Sequence, residues 1–212
     1  MPDGPRPRRV LFGPFRGLTL EIDLQTQSQL FFGLYEAELN SYIGAALRQS
    51  RWIIDVGAGA GELSLLFAKH KKEFFAIESS PEAAGKLLQN ALLNGLHVSE
   101  DRIIDKFAGS HDDGDTVKLD SILVDRTKPG LIKIDVEGQE VNVIKGAQEL
   151  ISECSSLFLI IETHSKALEA ECWSILQKHN MVLQIVKNAW YRSIFPENRT
   201  IEHNRWIWAR KA

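Results

Sequence analysis

The stretch IIDVGAGAGELS, residues 53–64, decides the fold. Its first four residues read as the end of a short apolar strand, and ELS opens an amphipathic pattern that runs on through LLFA to residue 68. Between them lie glycines at 57, 59 and 61, which let the chain turn tightly and let a ligand reach the main chain with no Cβ in the way. The free amides at the start of the following helix can then meet an anionic group. A strand, a glycine turn and a helix in this order open an α/β sheet with a small-molecule cradle at its edge.

Working outward, apolar strands and amphipathic helices alternate. RWIIDV (51–56) precedes a helix over about 60–70, FFAIE (74–78) a helix over 81–93, and RIIDKFA (102–108) a loop. LIKIDV (131–136) precedes a helix over about 139–151, and LFLIIET (157–163) a helix over 166–178. Strands this short and continuously apolar belong to a parallel sheet covered on both faces. The tail differs, because MVLQIVK (181–187) and RWIWARK (205–211) have no convincing helix between them and Pro196-Glu197-Asn198 supplies a turn, so an antiparallel hairpin is expected. Upstream, residues 1–9 read as a loose arm on the surface, VLFGPFRGLTLEID (10–23) as a small hairpin, and residues 31–48 as one helix with Tyr35, Leu39, Tyr42, Ile43 and Ala46 on one face. The expected architecture is therefore α/β: a seven-stranded, mostly parallel sheet closed by a C-terminal antiparallel hairpin, with residues 1–50 as an arm, hairpin and cap before a main domain over 51–212.

With 44% hydrophobic and 25% charged residues in a chain of 212, the composition is that of an ordinary globular domain. A net charge of -3 offers no field to gather a polyanion, so nucleic acid is not the expected partner. The two cysteines, Cys154 and Cys172, have neither metal-ligand nor CxxC spacing, and both fall in stretches of buried helix or helix end, which argues against a disulfide framework. No apolar run approaches the roughly 20 residues of a membrane helix and the start lacks the apolar core of a signal peptide, so a cytoplasmic location is expected.

In an open parallel sheet, ligands collect outside the carboxyl ends of the strands. Those ends carry Asp55, Glu78, Asp135 with Glu137, and Glu162 with His164. Glu78, seventeen residues after Gly61, is placed to accept hydrogen bonds from both hydroxyls of a ribose. A dinucleotide GxGxxG turn would need a glycine at 62, where Glu62 stands. The observed acid-x-Gly-x-Gly-x-Gly spacing is similar to that of S-adenosylmethionine-dependent methyltransferases, and an acidic pocket suits a sulfonium cofactor.

Four stretches together resemble the FkbM family of methyltransferases: IDVGAGAGELSLLFA (54–68), AIESSPEAAGKLLQNALLNGL (76–96), LDSILVD with GLIKIDVEGQEVNVIKGAQEL (119–125 and 130–150), and LIIETHS (159–165). The KIDVEGxE element is the most specific, and FGPFRGL with FFGLYEAEL (12–18 and 31–39) resembles the leader of a short-chain branch. Many family members carry a polar residue inside the loop that here reads GAGAGE. The resemblance implies a Rossmann-like class I fold and transfer of the methyl group of S-adenosylmethionine, typically to a hydroxyl of a small molecule, sugar or polyketide-like compound. On that reading Asp55, Gly57, Gly59, Gly61, Glu78, Ser110, Asp135 and Glu137 are expected to hold the cofactor.

Methyl transfer to oxygen needs the acceptor aligned with the sulfonium and its proton removed as the bond forms. Asp135 and His164 are the two candidate bases, with Glu162 beside them; Asp135 could instead hold the cofactor's amino group. Asn- or Asp-Pro-Pro-aromatic, typical of nucleobase amino-methyltransferases, is absent where DVEG stands at 135–138. Mg²⁺ on the acids 135, 137 and 162 with His164 is the minor reading, and no metal site is expected. Lys133 is expected to snorkel or to pair with a carboxylate rather than do chemistry, Glu140 to be an early-turn or surface acid, and Trp190, Trp206 and Trp208 to pack the core or the hairpin. Two other readings are a non-catalytic cofactor-binding or interaction module of the same fold and an NAD-dependent oxidoreductase. The acceptor and the oligomeric state lie beyond the sequence.

Overall fold

The computed structural model describes residues 4–189 and 203–211. At its centre is a seven-stranded sheet made from β3 (Trp52–Val56), β4 (Glu73–Ile77), β5 (Ile103–Ile104), β8 (Gly130–Ile134), β9 (Leu157–Thr163), β10 (Val182–Val186) and β11 (Arg205–Lys211). The spatial order is β10-β11-β9-β8-β3-β4-β5. Strands β9, β8, β3, β4 and β5 run parallel, whereas β11 is antiparallel to both β9 and β10. The C-terminal hairpin thus does more than close the sheet: β11 wedges between β9 and β10. The turn expected at Pro196-Glu197-Asn198, and Trp190, lie outside the described residues.

The two-residue side-chain period of each strand sorts the core into two layers. Ile53, Phe74, Ala76, Leu131, Ile160 and Trp206 pack with α2 (Asn40–Gln49), α3 (Glu62–Lys69) and α4 (Pro81–Leu93). Ile54, Ile77, Ile132, Leu159 and Ile207 pack on the opposite face with α5 (Glu140–Lys145), α6 (Gln148–Glu153) and α7 (Lys166–Lys178). Neighbouring residues of one strand therefore serve different cores, which is why these strands read as unbroken apolar runs. Trp208 stacks on Phe158 with ring centroids 5.3 Å apart, and Cys154 and Cys172 are buried free thiols.

Strand β1 (Arg6–Arg9) pairs antiparallel with β2 (Thr19–Ile22), so the hairpin begins inside the stretch expected to be a loose arm. Its inner residues Leu18, Leu20 and Ile22 enter the first core, together with Ile43 and Ala46 of α2. The single helix expected over 31–48 is three pieces, α1 (Ser28–Phe32), a 3₁₀ turn at Ala37–Leu39 and α2. Gly33 and Glu36 both take left-handed backbone between them, which no continuous helix allows. The strand expected over 102–108 also divides: β5 joins the main sheet, while β6 (Phe107–Ala108) pairs with β7 (Thr116–Val117) in a separate ladder.

Candidate active site

The strand order reverses at the middle of the sheet, with β4 and β5 on one side of β3 and β8 and β9 on the other, and the crevice opens at that switch. A cavity of about 1340 Å³ lies there. Its floor is the loop after β3, its sides are the ends of β4 and β8, and residues 25–36 of the N-terminal segment form part of its wall.

The glycines of the loop serve different purposes. A Cβ on Gly57, at φ +71°, would lie 1.9 Å from the carbonyl oxygen of Asp135, so only glycine lets β3 and β8 leave the sheet this close together. A Cβ on Gly59, at φ +55°, would meet nothing within 4 Å. Gly59 lines the cavity, and its bare backbone is the surface a ligand would touch. Gly61 packs against Leu87 of α4 and, as the residue before α3, carries no capping side chain. The start of α3 is held from elsewhere: the carboxylate of Asp55 accepts from the Ser64 amide at 3.1 Å and hydroxyl at 2.7 Å. Burial pushes Asp55 above the usual carboxylate range, opposed by Lys133 and by those Ser64 bonds.

Glu78 stands at the end of β4 with its oxygens shared between two loops. Oε2 accepts from the Gly59 amide at 2.9 Å and Oε1 from the Ser80 amide at 2.8 Å. Each oxygen keeps a second lone pair, and Glu78 lines the cavity. Beyond it a recess of about 60 Å³ continues between Ile77, Phe107, Ala108, Val136 and Gln139. Phe107, 62% exposed, is the aromatic side chain at this end, and its period in the strand 102–108 did not reveal it because the strand breaks before it. Ser110 is exposed and does not line the cavity. The acids beside it staple their own loop: Asp112 accepts from the Lys118 amide and the Ser121 hydroxyl, and Asp113 from the amides of Asp115 and Thr116.

At the end of β8, Lys133 and Asp135 form a buried ion pair at 2.9 Å. Burial alone would lower the Lys133 ammonium, but Asp135, Glu36 and Asp55 hold it well above its ordinary range. Burial raises Asp135, but Lys133, Glu162 and His164 together hold it below the usual carboxylate range, and it stays ionised. Glu162, one strand over, is pushed up to about 9 by burial, Asp135 and Glu36, with Lys133 opposing. The structure brings His164 to the same place, with Nε2 4.0 Å from Asp135 and 3.8 Å from Glu162. Its other nitrogen, Nδ1, is 2.6 Å from Oε1 of Glu140, whose side chain is wholly buried. That contact, above all, raises the imidazole's pKa. Glu140 is thus no surface acid: the same oxygen also accepts from the His164 amide at 3.2 Å. Its partner comes from the loop after β9, which sequence spacing does not show.

Asp135, Glu137 and Lys133 line the cavity, while Glu162 and His164 stand behind Asp135 and are not part of the wall. Glu36, buried and with left-handed backbone, and Tyr35 do line it. Glu62 also faces it, and burial pushes its carboxyl up to about 7. Glu38 accepts from the Ala189 amide at 2.7 Å.

A seven-stranded sheet with one inserted antiparallel strand, a glycine loop over the switch point and an acid at the end of the next strand define a Rossmann-like class I methyltransferase fold. Residues 97–193 match the methyltransferase FkbM domain. Three solved structures share the fold. Trm5b from Pyrococcus abyssi aligns over 100% of this chain and 56% of its own with a TM-score of 0.55 and 14% identity. A SAM-dependent O-methyltransferase from Thermotoga maritima aligns over 81% and 64%, with a TM-score of 0.54 and 18% identity. Magnesium protoporphyrin IX methyltransferase from Synechocystis PCC 6803, with bound SAM, aligns over 88% and 83%, with a TM-score of 0.55 and 14% identity. Among curated proteins, one described as an uncharacterized RNA methyltransferase from Lactiplantibacillus plantarum is 30% identical over 140 residues. The match takes in 63% of this chain and spans 28% of that relative's length. Among the described residues no helix is long and apolar enough to cross a membrane.

Proposed function

We propose that this protein uses S-adenosylmethionine to methylate a hydroxyl oxygen of a small molecule, of the sugar or polyketide-like class. The observation that carries this reading is the charge of the cavity wall. Glu36, Asp55, Glu62, Glu78, Asp135 and Glu137 face it against Lys86 and Lys133. Such a wall attracts a sulfonium cation and repels a chain of phosphates. The residues fit the cofactor: Gly59 leaves the main chain bare, Glu78 keeps lone pairs for a ribose, and the recess beside Phe107 offers a mostly apolar lining to a purine edge. When bound, S-adenosylmethionine supplies the methyl cation equivalent.

The chain's own part is alignment and proton removal. Of the three candidate acid–base groups, Asp135 faces the cavity, so we assign it the acceptor: its carboxylate takes the hydroxyl proton as the oxygen gains the methyl group. Lys133 keeps Asp135 ionised and oriented. S-adenosylhomocysteine at saturating concentration should raise the melting temperature, by about 2.7 kcal/mol of stabilisation at a hundred times its dissociation constant. No shift would remove the cofactor reading. Asp135→Asn should lower kcat by roughly 10²–10⁴-fold with little change in cofactor affinity.

An RNA acceptor is the second reading, favoured by the description of the L. plantarum relative. Methyl transfer to bulk RNA, but to none of a set of hydroxylated small molecules, would establish it over ours. Cofactor binding with transfer to neither would favour a non-catalytic module.

A further inference from the structure

We propose that Asp135, Glu162 and His164 form a binding site for one divalent transition-metal cation, with Glu140 orienting the imidazole. The family match assigns no such site, and the sequence carried Mg²⁺ on these acids only as its minor reading. The binding claim stands apart from the methyltransferase reading; only its role in the reaction rests on it.

The first argument is distance. Nε2 of His164 lies 4.0 Å from Asp135 Oδ1 and 3.8 Å from Glu162 Oε1, too far for hydrogen bonds. One donor atom from each residue falls within 4.8 Å of the others. Nitrogen and oxygen ligands sit about 2.0–2.2 Å from such an ion, so donors on one ion stand roughly 3–4 Å apart. The two imidazole–carboxylate separations lie at the upper end of that range.

The second argument is the state of the imidazole. His164 Nε2 is buried without a hydrogen-bond partner, an arrangement that ordinarily costs stability. Nδ1 is tied to Glu140, which fixes the ring and, when Nδ1 carries the proton, leaves the Nε2 lone pair directed at the two carboxylates. Metal-binding histidines characteristically give their other N–H to a carboxylate in this way. Glu140 has no solvent exposure on its side chain, so it contributes nothing at the surface.

The third is rigidity. In the parallel pairing of β8 with β9, Ile134 stands opposite Ile161, so Asp135 and Glu162 leave adjacent strands at the same level and need no loop to meet. Lys133 occupies the other oxygen of Asp135, Oδ2, and leaves Oδ1 facing His164. One nitrogen and two carboxylate oxygens suit Mn²⁺, Co²⁺ or Zn²⁺ better than Mg²⁺ or Ca²⁺. Bound at Oδ1 while Lys133 holds Oδ2, the ion would lower the basicity of Asp135, so its role in the reaction would be to set the strength of the base assigned above.

The test uses the full chain, stripped with EDTA and titrated with MnCl₂, with binding followed by calorimetry and Mn²⁺ electron paramagnetic resonance. The expected result is one ion per chain, nitrogen coupling in the spin-echo modulation, competition by Zn²⁺, and loss of at least about tenfold in affinity on Glu140→Gln. Glu162→Gln and His164→Ala should abolish saturable binding, whereas Glu169→Gln, in the separate His203 pair, should leave it unchanged. Circular dichroism checks that each variant is folded. Absence of saturable binding, absence of nitrogen coupling in the wild-type protein, or equal binding by folded Glu162→Gln and His164→Ala overturns the site. An S-adenosylhomocysteine melting shift in the metal-free protein tells that failure from failure of the methyltransferase reading.

Discussion

Glu78 shows how one side chain both builds a site and serves it. Its carboxylate anchors the Gly59 and Ser80 amides, so removing it loosens the cradle as well as the proposed sugar contact. Glu78→Ala should therefore raise the dissociation constant of S-adenosylhomocysteine by ~10-fold or more, as charge-assisted hydrogen bonds contribute about 1.5–3 kcal/mol. Glu78→Gln should fall between, because the amide keeps one acceptor. Calorimetric titration of the three proteins checks the order. The sequence placed Glu78, Asp55 and Asp135 at strand ends by counting along apolar runs, and the cavity contains all three. Phe107 and Tyr35 were not legible as wall residues, because each depends on a break in local structure that positions a side chain from a distant segment.

At the scale of elements, local chemistry separates the boundaries read correctly from those read wrongly. Helices α4 and α7 have the limits expected of them, 81–93 and 166–178, and each has a capping serine: Ser80 accepts from the Ala83 amide before Pro81, and Ser165 from the Leu168 amide. The helix expected over 139–151 divides into α5 and α6 around Gly146 and Ala147. No capping side chain marks either start. A Cβ on Gly146 would lie 1.9 Å from the carbonyl oxygen of Gly109, so the break accompanies a contact some 37 residues away that periodicity does not record. The same logic ranks two substitutions in the loop after β3. Gly57→Ala meets the Asp135 carbonyl and carries left-handed strain, and should cost on the order of 3 kcal/mol or more in urea denaturation. Gly59→Ala meets nothing, and should cost only about 1–2 kcal/mol while weakening cofactor binding. Equal destabilisation by the two, with no change in binding for Gly59→Ala, would contradict the roles assigned to them.

Across the whole molecule, the N-terminal segment supplies residues of the first core, from Val10 to Ala46, and part of the cavity wall. Burial there has a pH signature. Glu62 is held neutral up to about pH 7, against 4.5 for the unperturbed side chain. The folded state thus binds the Glu62 proton more tightly than the unfolded chain does, so the associated stability is complete below about pH 4.5 and is lost as pH rises through 7. Urea midpoints at pH 5 and pH 8 should fall less steeply for Glu62→Gln than for the wild type; parallel behaviour of the two would place Glu62 in water. The sequence by itself determined the order of strands and helices, the glycine turn and the acids at the strand ends, because each follows from a local period or a single residue's backbone freedom. The tertiary structure decided the insertion of β11 between β9 and β10, the breaks after Phe32 and at Gly146, and the partnership of His164 with Glu140. Those depend on segments that meet only after folding, through backbone approach and desolvated charge, and neither quantity is carried by the spacing of residues along the chain.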